Sequence, residues 1–285
     1  MTYVLFDIGG TKTRVAVSSN LEEIDAIESF KTPAKFEDGI KKIIDTIKKL
    51  SKEAPKAMAG GVRGVLSEDK DGIDNDAVLS KWIGKSITGE LKKFADVPIF
   101  LENDSAIAGV GEAVFGAGKG MEIVAYHTVS TGVGGAKIED GEIDHASSGF
   151  EPGHQILDID RTVLGDDIVP SLENLVSGTA LAERFGVPAY EIPQSDVVWD
   201  ELAEYLAQGL RNTVMYWSPD VIVLGGSMIT GDPAIDVDNV RKYTVKVLEG
   251  FVECPFITKA KLGDEAGLYG AMALLKKRHE ERSDD

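Results

Sequence analysis

Tyr3-Val4-Leu5-Phe6-Asp7-Ile8-Gly9-Gly10-Thr11-Lys12 is a short apolar run that stops at an aspartate and a glycine turn. Lys12 to Val17 reads as the returning strand, so the chain opens on a β-hairpin whose tip carries Asp, Gly, Thr and Lys. A second round begins after Glu122. Ile123 to Val129 reads as a strand, Thr131 to Gly135 as a glycine turn, and Ala136 to Ile138 as the return. Between the two, Asp38 to Leu50 places Ile40, Ile43, Ile44, Ile47 and Leu50 on one stripe with lysines opposite, which predicts an amphipathic helix. Ala57 to Val62 and Val97 to Leu101 read as buried strands, and a helix from about Ser105 to Phe115 follows the second. After a connection carrying Pro188 and Pro193, a helix is predicted from about Val198 to Trp217. The apolar strand Asp220 to Leu224, the turn Gly225-Gly226-Ser227 and a helix from Glu265 to Lys277 complete the pattern. The tail Arg278 to Asp285 reads as charged and frayed. Strands alternating with helices indicate an α/β protein. The repeated hairpin suggests a duplicated domain, with a crevice between copies as the natural ligand site.

The chain has 285 residues, of which 43% are hydrophobic, enough apolar material for one or two cores. Thirty Lys and Arg against 48 Asp and Glu give a net charge of -18. Such a surface repels phosphate backbones and argues against nucleic acid as a partner. It does not argue against a single nucleotide, which needs only a local cradle of amides, a lysine and a metal ion. Cys254 is the one cysteine, so no internal disulfide or Cys-rich zinc site can form, and a small buried side chain is its expected role. Met1 to Gly10 lacks the features of a signal peptide, and no apolar stretch is long enough to span a bilayer. A soluble cytoplasmic protein without membrane partners is the expectation.

Asp7 to Thr13, Ser130 to Gly135 and Gly225 to Ser227 are glycine turns that follow apolar strands. Without Cβ atoms, their amides can approach an anion, and rows of amides bind phosphate oxygens. Thr11 and Thr131 can add hydroxyl donors, Lys12 a point charge. Asp7 is placed to hold a magnesium ion through water, since hard cations take oxygen ligands. A single Gly-Gly after a strand is usually only a turn; the recurrence at strand ends, with Thr, Asp and Lys alongside, is what favours phosphate. No G-x-x-x-x-G-K-[ST] occurs, which excludes a P-loop. The glycines from Gly109 to Gly116 fall in a predicted helix and read as close packing, not as a dinucleotide fingerprint.

Six segments occur in the order seen in the ROK proteins (repressors, open reading frames and kinases). They are Asp7-Ile8-Gly9-Gly10-Thr11-Lys12, Glu102-Asn103-Asp104, Ser130 to Gly135, Glu151-Pro152-Gly153-His154, Ser171-Leu172-Glu173 and Leu224-Gly225-Gly226-Ser227. The chain resembles that family over nearly its whole length. The resemblance implies an actin-like ATPase or hexokinase fold with two lobes from a duplicated ribonuclease H-like domain. The lobes are expected at 1–116 plus 265–285 and at 117–264. It implies ATP with magnesium, a hexose in the inter-lobe cleft and, by analogy, a homodimer. Asp104 resembles the general base, and Asn103, Glu151, His154 and Glu173 resemble sugar-contacting positions. Asp7, Gly9, Gly10, Thr11, Lys12, Thr131 and Gly132 match the phosphate side, and Gly225 and Gly226 the nucleoside side.

Two departures matter. Many family members build a zinc site from the His of E-x-G-H and three cysteines. Here those cysteine positions hold Leu164, Asp166 and Ser171, so no zinc is expected. The loop from Gln155 to Pro170 then lacks the family's staple, and the sequence leaves its local order open. Arg63 stands where family members usually carry a proline-glycine turn, and the sequence leaves open whether it faces sugar or solvent.

Each candidate has a plainer role. Asp104 or Asn103 can cap the following helix, and Glu173 can be a helix-start acid favoured by the dipole. His154 alone would be an ordinary histidine, but its spacing from Glu151 favours sugar. His127 and His145 read as structural, and His279 as solvated in the tail. Glucokinase-like phosphorylation of a hexose hydroxyl is the leading reading. An N-acetylmannosamine or N-acetylglucosamine kinase and a non-catalytic sugar sensor are the alternatives, and an actin-like ATPase acting on a protein partner stands further off. With the hairpin starting almost at Met1, no repressor's helix-turn-helix is expected ahead of it.

Overall fold

The computed structural model describes residues 2–146 and 149–281. The chain divides into two compact units, Met1–Val114 with Asp264–Asp285, and Phe115–Gly263. The first holds β1 (Thr2–Ile8), β2 (Lys12–Ser18), β3 (Ala26–Lys31), α1 (Phe36–Leu50), β4 (Pro55–Val62), β5 (Val65–Leu66), β6 (Ile73–Asn75), α2 (Ile87–Phe94), β7 (Ile99–Asn103) and α3 (Asp104–Val114). The second holds β8 (Ile123–Val129), β9 (Val133–Glu139), β10 (Glu142–Ile143), α4 (Leu172–Val176), α5 (Gly178–Phe185), α6 (Val198–Trp217), β11 (Val221–Gly225), α7 (Ser227–Thr230), α8 (Val237–Leu248) and β12 (Phe256–Lys259). The chain then returns to the first unit as α9 (Ala266–Glu281).

Each unit is built on a five-stranded sheet, ordered β3-β2-β1-β4-β7 and β10-β9-β8-β11-β12. In both, the first three strands in sequence form an antiparallel meander and the last two add in parallel. The same topology built twice is the duplication announced by the two hairpins. In such sheets ligands gather at the carboxyl ends of the parallel strands. Those ends carry Gly9-Gly10, Arg63-Gly64 and Asn103-Asp104 in one unit, and Ser130-Thr131 and Gly226-Ser227 in the other.

Local sequence explains the elements. In α1, Ile40, Ile43 and Ile47 are buried, with Glu37 and Asp38 in the first turn and Lys48 and Lys49 in the last, in line with the helix dipole. In the first unit α3 packs on α9 through small residues: a Cβ on Gly270 would strike the Ile107 carbonyl, and one on Gly111 would strike the Ala266 carbonyl. Gly111 of α3 therefore serves close helix packing. Further along α9, a Cβ on Gly267 would lie 3.2 Å from Asp7 Cγ, so the helix runs directly beside that carboxylate. The predicted frayed tail needs correction. Helix α9 continues to Glu281, and His279 sets its ring edge-on to Tyr3 with centroids 6.3 Å apart. Residues 282–285 lie outside the described residues.

The second unit's core includes β8, α6 and β11 residues, with half-buried Cys254 against it. His127 is fully buried, its ring stacked on Trp217 at 5.5 Å and its Nε2 3.0 Å from Thr213 Oγ1. Its Nδ1 has no hydrogen-bond partner among the described residues. Burial pulls the imidazole from 6.5 down to about 4. An unfolded chain takes up a proton near 6.5 that the folded chain refuses, so this stabilisation is present above pH 6.5 and lost as pH falls toward 4. Its full extent corresponds to about 3 kcal/mol. The difference in denaturant stability between wild type and His127→Phe is expected to shift by up to that amount between pH 7 and pH 4.5. A difference independent of pH would rule the linkage out. No helix among the described residues is long and apolar enough to cross a membrane.

Candidate active site

In the first unit, Asp7 lies on β1 opposite Arg14 of β2. Arg14 Nη1 donates to Asp7 Oδ2 at 3.2 Å, while Nη2 pairs with Asp264. Burial pushes the Asp7 carboxyl from 3.8 up to about 7, the Asp104 charge adds to the rise, and Arg14 opposes it. The hairpin tip is closed by Gly9 N–H donating to Lys12 O at 3.1 Å, and Thr32 Oγ1 donates to Gly9 O at 2.7 Å. The Gly9 amide is therefore engaged within the turn, and the amides of Gly10 and Thr11 are those left for an anion. Lys12 extends into solvent, its Nζ 3.8 Å from Asp264.

Two strands away, β7 delivers Asn103 and Asp104. Asn103 Oδ1 accepts from Ser105 N–H at 2.9 Å and Ala106 N–H at 3.1 Å, so Asn103 is the cap of α3. Its Nδ2 donates to Gly64 O at 3.1 Å. Asp104 is the first helical residue and takes Ser105 N–H on Oδ1 at 2.8 Å. That leaves its other oxygen uncommitted to the helix. Burial raises the Asp104 carboxyl above the ordinary range, opposed by the Ser105 amide and by the charge of Arg63. Gly61 permits this placement, since its Cβ would lie 3.1 Å from Asp104 Cα.

In the second unit, the turns after β8 and β11 lie side by side. Ser130 Oγ and Ser227 Oγ are 3.0 Å apart, and Gly178 N–H donates to Ser130 O at 2.7 Å. Gly226 sits at φ +85, where a Cβ would strike the Val129 carbonyl. Glu173, near the start of α4, reaches across to accept Val133 N–H at 2.7 Å. A Cβ on Gly132 would lie 2.6 Å from that carboxylate oxygen, so the glycine makes room for the contact. Glu173 thereby positions the Thr131-Gly132 turn, a role not read from the sequence. The turn Pro152–His154 packs on the same strand: a Cβ on Gly153 would meet Val133, and one on Gly135 would lie 2.9 Å from Pro152 Cγ. Glu151 and His154 flank it, both exposed. Leu172 N–H donates to Gln155 O at 2.9 Å, tying this turn to the helix of Glu173. Thr131, Gly132, Gly225, Gly226, Glu151, His154 and Glu173 thus gather at one end of the second sheet. Asp7, Gly9, Gly10, Thr11, Lys12, Asn103 and Asp104 gather at the corresponding end of the first.

The loop from Gln155 to Pro170, whose order the sequence left open, is held by its own side chains. The Asp158 carboxylate accepts Leu164 N–H at 2.7 Å and Val163 N–H at 3.2 Å. Arg161 Nη1 donates to Ile168 O at 2.6 Å, and Leu157 N–H to Pro170 O at 2.8 Å. The residues at the cysteine positions have work of their own or face water. Leu164 is buried in the core, Ser171 caps α4, and Asp166 is exposed. Burial raises the Asp158 carboxyl, but the amides of Leu164 and Val163 outweigh it and hold it below the ordinary range. Asp158→Ala is expected to accelerate amide exchange at Val163 and Leu164 at least about tenfold, since each loses its acceptor. Unchanged protection at both amides would show that the carboxylate does not hold the loop.

The roles of Asp158, Arg161 and Arg14 do not follow from residue type alone. Only for Arg14 was there a signal: it shares a strand face with Lys12, two residues on, and hairpin register sets it opposite Asp7.

A duplicated sheet with phosphate-type turns at its strand ends defines the actin-like ATPase fold. The sequence profile of the ROK family matches residues 3–278, and the chain belongs to that family. It is 28% identical over 266 residues to a fructokinase of Lactococcus lactis subsp. cremoris, covering 89% of this chain and 87% of that one. Among solved structures, a ROK hexokinase from Thermus thermophilus superposes with a TM-score of 0.81 at 26% identity, covering 98% of this chain and 100% of that one. A ROK glucokinase from Streptomyces griseus, in complex with glucose and AMPPNP, gives 0.77 at 24% identity, covering 97% and 100%.

Proposed function

We infer that the chain is an ATP-dependent sugar kinase that phosphorylates a hexose hydroxyl, with Asp104 as the base. The observation that carries the reading is the first sheet itself. Its order sets the carboxylate of Asp104 at the end of β7, in the same row of strand ends as the Gly9–Lys12 hairpin.

Phosphoryl transfer asks the protein for in-line positioning, neutralised charge and a group that orients the nucleophile. Asp104 accepts the hydroxyl proton through the oxygen the helix leaves uncommitted, and a carboxyl raised by burial is a better acceptor for it. The amides of Gly10 and Thr11 and the turns at Thr131-Gly132 and Gly225-Gly226 hold the nucleotide. Asn103, Glu151, His154 and Glu173 are the proposed hexose contacts. Asn103 and Glu173 also do structural work, one capping α3 and the other holding the Val133 amide. Asp7 and Asp104 supply hard oxygen donors that suit magnesium. Because Arg14 occupies Asp7 Oδ2, the proposed contact of Asp7 with the ion runs through water. Bound magnesium would neutralise charge on the nucleotide's phosphates.

Glucose and its C2 variants are the proposed substrates, and the fructokinase relative brings fructose into the same set. Zinc-free folding is proposed because Asp158 and Arg161 hold the loop that zinc would otherwise staple. One zinc per purified chain in metal analysis would contradict it. A homodimer is proposed by family analogy alone. The deciding experiment is incubation with magnesium-ATP and a panel of glucose, mannose, fructose and their N-acetylamino relatives. Sugar-dependent ADP release supports the kinase, and saturable sugar binding without ADP release would make the chain a sensor.

A further inference from the structure

Arg63 stands directly after β4, the middle of the three parallel strand ends in the first sheet. Its backbone is fixed on both sides. Arg63 N–H donates to Ile8 O at 3.0 Å, next to the glycine hairpin, and the following Gly64, at φ +111, takes the Asn103 amide on its carbonyl at 3.1 Å. The side chain runs along the hairpin, since a Cβ on Gly10 would lie 3.3 Å from Arg63 Cδ. Its Nε donates to Asp76 Oδ2 at 2.9 Å. Asp76 is itself locked: its other oxygen receives the amides of Val78 at 2.7 Å and Leu79 at 2.5 Å, and its side chain is 5% exposed against 35% for Arg63.

Asp76 grips the guanidinium by Nε, the inner edge, while Nη1 and Nη2 have no hydrogen-bond partner among the described residues. The Arg63 charge is also the foremost one favouring the ionised form of Asp104. A planar fork held by its base, with two terminal nitrogens free between an amide hairpin and a carboxylate, suits an oxyanion.

We propose that Arg63 is a further catalytic residue whose terminal nitrogens hold the oxygens of the phosphoryl group in transfer. The proposal rests on the kinase reading and deepens it. The attacking hydroxyl oxygen bonds to the γ-phosphorus as its proton passes to Asp104. The bond from the γ-phosphorus to the bridging oxygen breaks, and ADP leaves with that electron pair. The charge on the three equatorial oxygens is met by Arg63 from the protein side. Asp104 returns its proton to solvent after product release.

The test compares wild type, Arg63→Ala, Arg63→Gln and Arg63→Lys in the full chain. With whichever hexose the wild type turns over, Arg63→Ala is expected to lower kcat at least about 10²-fold, in line with loss of one preorganised oxyanion donor. Both KM values should stay within a few-fold, and added guanidinium ion should restore part of the rate. Arg63→Lys should fall between Ala and wild type. Independently of turnover, aluminium fluoride should tighten ADP binding to the wild type at least about tenfold in calorimetry, and not to Arg63→Ala. If Arg63→Ala fails to fold, Arg63→Gln decides, because it keeps most of the stem and a donor for Asp76 but lacks the fork. Wild-type kcat in the variants, or an effect confined to the hexose KM, overturns the proposal. A wild type inert toward every hexose refutes the kinase reading instead, and the fluoride measurement still judges Arg63.

Discussion

Asp104→Asn leaves hexose affinity within a few-fold and lowers kcat at least about 10²-fold, the usual contribution of a positioned base. Asparagine matches aspartate in size and keeps an acceptor for the Ser105 amide, now at 2.8 Å, so the start of α3 survives. It also keeps clear of Gly61, whose Cα hydrogens face this residue closely. What it cannot do is take a proton. A second signature separates a lost base from a distorted helix. Asp104 is one of the charges that raise the Asp7 carboxyl, so neutralising it must move Asp7 back toward its ordinary range. Steady-state kinetics, hexose binding by calorimetry and an Asp7 titration by NMR check the three parts. Normal turnover in the variant ends the assignment of Asp104.

The fold was legible because both sheets begin with the same unambiguous device, an apolar strand, a glycine turn and a return. Helix α6 came out with its ends as read, since its apolar stripe runs unbroken from Val198 to Trp217. Other elements carried weaker signals. Strand β3 is half-exposed, alternating Ala26 to Lys31 at a sheet edge, and β12 is short, with Phe256 exposed. Helix α8 is mostly polar on its surface and was missed, although Asp236 caps it through the amides of Asp238 and Asn239. That cap was visible as a helix-start residue, but no strong stripe followed to confirm it.

The proposed site was read from residue types at single places in the chain, as with Asp7, Asn103 and Asp104, and the fold sets these three at strand ends of one sheet. The site was not legible where function lies in partnership. Glu173 was read as a hexose contact or a helix-start acid. Its grip on the Val133 amide, 40 residues back, depends on the packing of α4 against β9. Asp158 and Arg161 look like ordinary loop residues until the amides and carbonyls they hold are known. Arg63 stands out in the sequence only as an arginine at a place for a turn residue. Its orientation is set by Asp76, which lies 13 residues further on beyond a small hairpin.

Asp7→Asn is expected to do two opposite things, and the conflict between them tests the proposed water-mediated magnesium contact of Asp7. The folded chain holds the Asp7 proton to about 7, against 3.8 for an ordinary aspartate. Between those values the unfolded chain has ionised and the folded chain has not, so stability declines as pH rises from 4 to 7 and stays at its lowest above 7. Burying the charged carboxylate under Gly267 of α9 therefore costs the folded state at neutral pH, by up to about 4 kcal/mol if the whole difference is counted. The Arg14 pairing survives only in part with asparagine, which reduces the gain to about 1–3 kcal/mol. In the absence of nucleotide and magnesium, Asp7→Asn should accordingly be more stable than wild type at pH 8. The advantage should shrink at pH 5 and vanish below about pH 4. Turnover with magnesium-ATP should fall at least about 10²-fold, because the charge that stabilised the reacting complex has gone. A gain in stability paired with a loss of activity is the mark of a group kept buried and ionised for function. Denaturant titrations at pH 8, 5 and 4 alongside initial rates decide it. A variant less stable than wild type at every pH would show that Arg14 more than offsets burial and that Asp7 is a structural ion pair.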